Sequence, residues 1–227
     1  MDVYAILLSK LSSIECFYEL SAGTFVEIKR KIEAGEEPYE PPYFDPENDT
    51  DTEPPFLEEW SDADEFQNIV GQAAVSLVHS VLKDFLDGFL TRDGQYETAE
   101  KYFSARRNQI KNESWFHRYL AFFAEAYGVN WENCPVSPEA LEEINLARND
   151  MQHGESGFRL SRYRTEAHRQ KFPAGIFASE LEKNHPDWSS GEIKVSKETF
   201  LEAVNRVKQF SKFVEKHSPW RYSTFEE

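Results

Sequence analysis

The sequence predicts an all-α protein, an antiparallel helical bundle. Three observations carry this expectation. Apolar residues recur at helical spacing through most of the chain. No segment alternates apolar and polar residues as a half-buried strand would. Ten Gly and 11 Pro in 227 residues are few for the many turns of an all-β fold. With 40% hydrophobic and 15% aromatic residues the chain has material for a core, which excludes a disordered or collagen-like protein.

The elements follow in chain order. Residues 1–35 hold a first helix that packs on the bundle. Val3, Ile6, Leu7, Leu11, Ile14 and Phe17 are at helical spacing, with a break expected at Ser21-Ala22-Gly23. Residues 36–60 are expected to be an acidic, proline-rich loop, because proline removes amide donors and like charges repel. Residues 61–218 form the helical core. Ser61 is placed to cap its first and strongest helix, with Asp64 three residues on. Along 62–91, two adjacent apolar rows follow. One runs Phe66, Val70, Ala74, Val78, Leu82, Leu86, Leu90; the other runs Ile69, Ala73, Leu77, Val81, Phe85, Phe89. Such a wide stripe marks the central helix of a bundle.

Helix resumes over 96–127, interrupted near Asn112-Glu113-Ser114. Ser137-Pro138-Glu139 supplies a cap, a first-position proline and a first-turn acid for another helix ending near His153, with Gly154 as its stop. Residues 158–185 are polar, basic and unclear. Ser196-Lys197-Glu198 opens the last helix, carrying Phe200, Val204, Val207, Ser211 and Val214 on one face and ending before Ser218-Pro219. Residues 219–227 are a tail.

Net charge is −16, yet residues 33–65 contain fourteen acids and no Lys or Arg, so the rest of the chain balances to within two charges. The acidity belongs to one segment, and the near-neutral body can carry local basic patches. Cys16 and Cys134 cannot build a disulfide framework, and no Cys-x-x-Cys pair offers a zinc site. The chain opens without a basic leader and has no stretch near the roughly 18 apolar residues of a membrane span. The expectation is a cytoplasmic protein without membrane contact, resident metal or other cofactor.

The stretch richest in chemistry is E-E-I-N-L-A-R-N-D-M-Q-H-G at 142–154, which contains Arg148-Asn149-x-x-x-His153. On a helix Asn149 and His153 share a face one turn apart. Arg148 lies ~140° from His153 on the same wheel, so the two converge poorly within one rigid helix. A two-fold axis that brings two copies of the motif together would relieve this, which predicts a homodimer with a shared cleft. His is a general acid or base near neutral pH, and a helix C-terminus favours its protonated form. Arg brings a planar, permanent charge suited to phosphate, and Asn can orient either group. No nucleophile belonging to the chain is evident; RNA carries its own in the 2′-hydroxyl.

With these residues in this helical order, the chain resembles the HEPN superfamily, the helical domains of many prokaryotic toxin and antiviral ribonucleases. The likeness spans roughly residues 62–217. It rests on the long apolar helix, the basic helix after it, the 131–138 loop, the Arg148-Asn149-x-x-x-His153 helix and the closing helix from Ser196. The resemblance implies a dimeric, metal-independent endoribonuclease that cuts single-stranded RNA to a cyclic phosphate as a toxin or antiviral defence effector. It implies His153 as acid/base, Arg148 as stabiliser of the phosphorane and Asn149 as the orienting group, with an antitoxin or defence-complex protein as a candidate partner. Members paired with a nucleotidyltransferase antitoxin often carry Tyr two residues after the His. Here that residue is Glu155, so the likeness does not extend to silencing by nucleotide transfer.

Blander readings stand beside this one. His153 could simply satisfy helix-end carbonyls, and Arg148 could pair with Glu142 or Glu143 on the surface. The whole could be a non-catalytic HEPN module that binds nucleotide or protein in a defence complex. Two basic stretches are candidate RNA contacts: Lys101, Arg106, Arg107, Lys111 and Arg118 before the motif, and Arg159, Arg162, Arg164, Arg169 and Lys171 after it. Phe158, Tyr163 and Phe172 interleave the second as candidate stacking residues, whereas Trp115, Phe116, Tyr119, Phe122 and Phe123 read as core. The acidic 36–55 segment is a solvated loop or, on a sharper reading, a polyanion mimic that occupies the basic cleft. The remaining histidines, His79 among them, read as structural or exposed.

Overall fold

The computed structural model describes residues 1–42, 53–111, 113–153, 168, 171–172, 175–178, 184 and 193–219. Among these, six α-helices and one 3₁₀ turn make up the regular structure: α1 (Val3–Ala34), α2 (Leu57–Arg92), α3 (Tyr96–Gln109), α4 (Trp115–Tyr127), the turn Trp131–Asn133, α5 (Pro138–His153) and α6 (Lys197–Glu215). The chain is all-α over this range.

Helix ends follow from local chemistry. Asp2 caps α1, accepting from the Ala5 amide at 2.9 Å, and Gly35 closes it in the left-handed region, which a side chain would strain. Ser114 caps α4 through the His117 amide, and Ser196 caps α6 through the Thr199 amide. At the start of α5 the Ala140 amide reaches the Ser137 hydroxyl. The Gly154 stop lies outside the described residues.

Two expected boundaries move. α1 runs unbroken through Ser21-Ala22-Gly23, because Ala22 is buried and α1 stays paired with α2 well beyond it; that packing outweighs the ~1 kcal/mol propensity cost of one glycine. α2 begins at Leu57, inside the expected loop and ahead of Ser61, without a side-chain cap. Its first turn is held by Glu58 and Glu59 at the positive end of the helix dipole and by the Trp60 indole, which donates to Glu33 across to α1.

Contacts fix the directions. Lys10 meets Asp84, Lys29 meets Asp64 and Trp60 meets Glu33, so α1 is antiparallel to α2. His79 meets Asn145 and Ser76 meets Met151, so α5 is antiparallel to α2 as well. α6 runs with α2: the residues before it bond Asn68, and Glu215 at its end bonds Arg92. α4 also runs with α2, pairing Trp115 with His79 and Tyr119 with Asp87. The bundle is therefore mixed and not antiparallel throughout as expected: α2, α4 and α6 run one way and α1 and α5 the other, with α3 folded back on α4.

The core is aromatic. Phe89 packs on Phe123 and Tyr127, Phe116 on Phe210, and Tyr18 stacks on Phe200 with centroids 4.4 Å apart. Trp131 stacks on Phe210 and donates to the Leu120 carbonyl, pinning the turn before α5. By length and composition α2 could cross a membrane, but half of its apolar window is buried against the other helices, as in a core helix, and Ser80, Lys83 and Asp84 are exposed on its open side. Its expected two-row stripe is covered from Val78 onward and partly open before that. Phe66, Ile69, Ala73 and Leu77 are exposed, because α1, α5 and α6 cover the flanks of the first half of α2 and leave this outer row to solvent.

An extended segment docks on the first half of α2. The Asn68 side chain donates to the Ile193 carbonyl and accepts from the Val195 amide, satisfying buried backbone as a strand neighbour would. Gly71 makes room for it: a Cβ there would lie 2.6 Å from Val195 Cβ and 2.8 Å from the Val195 carbonyl oxygen. Gly71→Ala is expected to cost about 1–3 kcal/mol. Gly23→Ala, where nothing lies within 4 Å of the added carbon, is expected to stabilise by about 0.5–1 kcal/mol. Urea midpoints of the two variants should move in opposite directions.

Candidate functional site

α5 carries the candidate residues and places its polar ones inside the bundle. Glu142, Glu143 and Asn145 are buried at 8%, 3% and 3% exposure. Burying a carboxylate demands a partner, and each has one. Glu142 accepts from Lys171 at 2.6 Å and faces His117 at 3.8 Å. Glu143 accepts the Ile176 amide at 2.8 Å and lies 3.8 Å from Arg206. Both acids thus hold the chain that returns after the motif.

This decides the pairing of Arg148. Among the described residues no carboxylate is paired with it; its Nη1 donates to Asn149 Oδ1 at 3.0 Å, and its Nε is buried without a hydrogen-bond partner. The side chain therefore reaches across the helix surface towards Asn149, one turn before His153. The backbone of His153 ends α5; its side chain is outside the described residues.

The residues that sequence reasoning missed lie behind this pair. Asn145 Oδ1 accepts from the Trp115 indole of α4 at 2.8 Å and lies 3.0 Å from His79 Nε2 of α2. An amide oxygen only accepts, so His79 is protonated at Nε2, leaving Nδ1 bare, buried and without a partner. The Trp115 ring stands edge-on to the imidazole at 5.3 Å. Burial, then the charges of Arg148 and Lys83, push the His79 pKa down to about 4 against the bond to Asn145, so it is neutral at pH 7. One signal in the sequence pointed here: His79 interrupts the apolar row of α2 next to Val75, Val78 and Leu82, where a polar side chain needs a partner.

The candidate RNA contacts divide. Arg106 is committed to Glu113 by a two-oxygen pair at 2.8 and 2.9 Å, and Arg118 donates to the Glu113 carbonyl at 3.0 Å. Arg107 and Lys111 are exposed. Arg159 and Arg162 lie outside the described residues, as do Phe158, Tyr163, Arg164 and Arg169. Lys171 is held by Glu142, and Phe172 is buried rather than available for stacking. Phe116, Tyr119, Phe122 and Phe123 are buried, as a core reading requires. Among the described residues no three His, Cys, Asp or Glu side chains converge as a metal site would need.

Fold and site together define, over the described residues, an all-α bundle whose fifth helix carries an arginine–asparagine pair in its last turns, backed by a buried histidine and asparagine and a half-buried tryptophan. No family model, curated protein or solved structure matches the chain.

The neutral state of His79 makes stability depend on pH. The unfolded imidazole takes a proton near pH 6.5 and the folded one only near 4, so the unfolded state binds more protons between these values. Stability is expected to fall as pH drops from 6.5 towards 4, by at most about 3 kcal/mol from this group. Urea unfolding at pH 7.5, 5.5 and 4.5 measures it, and His79→Gln should flatten that part of the profile.

Proposed function

We propose that the chain is a metal-independent endoribonuclease of the HEPN type that cleaves single-stranded RNA, acting in the cytoplasm as a homodimer and as a toxin or antiviral defence effector. The observation that carries this reading is the state of Arg148. Its guanidinium sits near the end of α5, is oriented by Asn149, and is left unneutralised because the neighbouring acids Glu142 and Glu143 are engaged elsewhere. A half-buried guanidinium without a carboxylate is a receptor for an anionic oxygen.

On this reading the phosphodiester lies against Arg148 and Asn149. His153, as base, takes the proton of the 2′-hydroxyl; the 2′-oxygen attacks phosphorus and the P–O5′ bond breaks. The leaving 5′-oxygen takes a proton from the acid form, supplied by His153 or its copy across the dimer. The products are a 2′,3′-cyclic phosphate and a 5′-hydroxyl. Arg148 stabilises the charge that develops on the equatorial oxygens, where a fixed donor is worth the most. The helix C-terminus favours the protonated imidazole that the second step uses. Arg107 and Lys111 are exposed cations that would attract the strand.

The commitment of Arg106 to Glu113 and the burial of Phe172 favour a second reading, a HEPN module that binds nucleotide or a partner protein without cutting. The two readings separate in one assay. Pure protein is incubated with a mixed single-stranded RNA in EDTA. Cleavage with cyclic-phosphate ends is expected, reduced about 10²–10⁴-fold in His153→Ala and about 10²–10³-fold in Arg148→Ala. Cleavage unaffected by His153→Ala would reject the assignment, and binding without cleavage would favour the module.

A further inference from the structure

We infer that His79 of α2 is a positioning residue for the Arg148–Asn149 pair, acting through Asn145; the inference rests on the ribonuclease reading above.

The geometry begins with one atom. Asn145 Oδ1 receives a donor from α2 and a donor from α4, so α5 is keyed to two other helices at a single buried point. Arg148 and Asn149 follow Asn145 by three and four residues and therefore share its side of the helix. A turn of α5 about its axis would break both bonds and strand the buried polar atoms of His79 and Asn145, at roughly 1–3 kcal/mol each. The direction in which Arg148 and Asn149 project is thereby fixed from behind.

A second observation concerns the atoms of this cluster that are left over. Buried polar atoms are nearly always paired, yet His79 Nδ1 and Arg148 Nε are both buried without a hydrogen-bond partner. One can only accept and the other can only donate. They belong to side chains that act on each other electrostatically within the same cluster. Burial and the nearby positive charges keep the imidazole neutral, so His79 supports Asn145 as a hydrogen-bond donor and not as a charge. Of the charged groups that act on His79, Arg148 lies on α5 and Lys83 on its own helix; from α4 it meets the uncharged indole of Trp115.

The experiment compares His79→Leu, which removes the donor, with His79→Gln, whose amide can replace Nε2–H. Circular dichroism and thermal unfolding establish folding. Two readouts follow: the NMR signal of the Arg148 Nε–H group, and RNA cleavage resolved into kcat and RNA affinity. Folded His79→Leu is expected to shift the Arg148 signal and to lower kcat about tenfold or more with little change in RNA affinity. His79→Gln is expected to restore both. A merely structural histidine would lower the unfolding temperature without dividing kcat from affinity. An unmoved Arg148 signal, an unchanged kcat in folded His79→Leu, or a loss that Gln does not rescue would overturn the inference. Wild-type protein that does not cut RNA would defeat the ribonuclease reading, and the Arg148 signal would then decide the positioning alone. Should His79→Leu not fold, Trp115→Phe removes the other donor to Asn145; it must move the Arg148 signal, or the inference fails.

Discussion

The burial of α2 over 74–90 is the constraint from which the rest of the architecture follows. Val78, Leu82, Leu86, Phe89 and Leu90 on that helix are all but inaccessible to water. At about 25 cal/mol per Å² of apolar surface, no arrangement that leaves this spine wet competes with one that covers it. α1 lies along it from one side, α6 from another and α4 from a third, with α5 closing over His79. The placement of the candidate site is a consequence. α5 reaches its position by covering the spine, and its polar residues enter the interior because the face that covers also carries Glu142, Glu143 and Asn145. Each is then satisfied by a specific donor, and those donors settle which way the end of the helix points.

Much of the fold was legible in the sequence where the signal was local. The interruption between α3 and α4 was announced by residues a turn or less from the feature itself, and the caps at Ser114 and Ser196 likewise act within one turn. Signals failed where tertiary packing outweighed them. Ser21-Ala22-Gly23 is a plausible stop, yet α1 continues because its neighbour does. Ser61 is a plausible cap, yet α2 starts earlier because Trp60 is anchored to Glu33 on another helix. The direction of α6 relative to α2 was not legible either, since an alternating up-and-down order is the simplest inference from consecutive helices and the long stretch before α6 allows any return.

The candidate site divides in the same way. Arg148 and Asn149 are adjacent, and their side chains do meet. His79 and Trp115 are 66 and 30 residues from Asn145, and only the folded chain brings the three together. The fates of Glu142 and Glu143 show why helix-surface pairing rules mislead near a core. As neighbours on one helix they were natural counter-ions for Arg148, but burial gave them stronger claims from Lys171 and the Ile176 amide. Arg106 shows the reverse, a cation expected to be free that is taken by Glu113 seven residues on, just beyond the end of its own helix.

The parallel run of α6 beside α2 also governs the order in which the chain can fold. α6 leaves the ribosome after the other five described helices, and its partners Tyr18, Phe116 and Trp131 lie roughly 80 to 180 residues earlier. Contacts so distant in sequence form late, because a long loop must close before they return any energy. A nascent chain lacking α6 still holds the local hairpins α1–α2 and α3–α4, but it leaves the rings of Tyr18 and Phe116 without their covering side chains. Arg206, which reaches the Ala140 carbonyl and the neighbourhood of Glu143, is on that same last helix. Completion of the core and completion of the support beneath α5 are thus one event, set by the docking of α6.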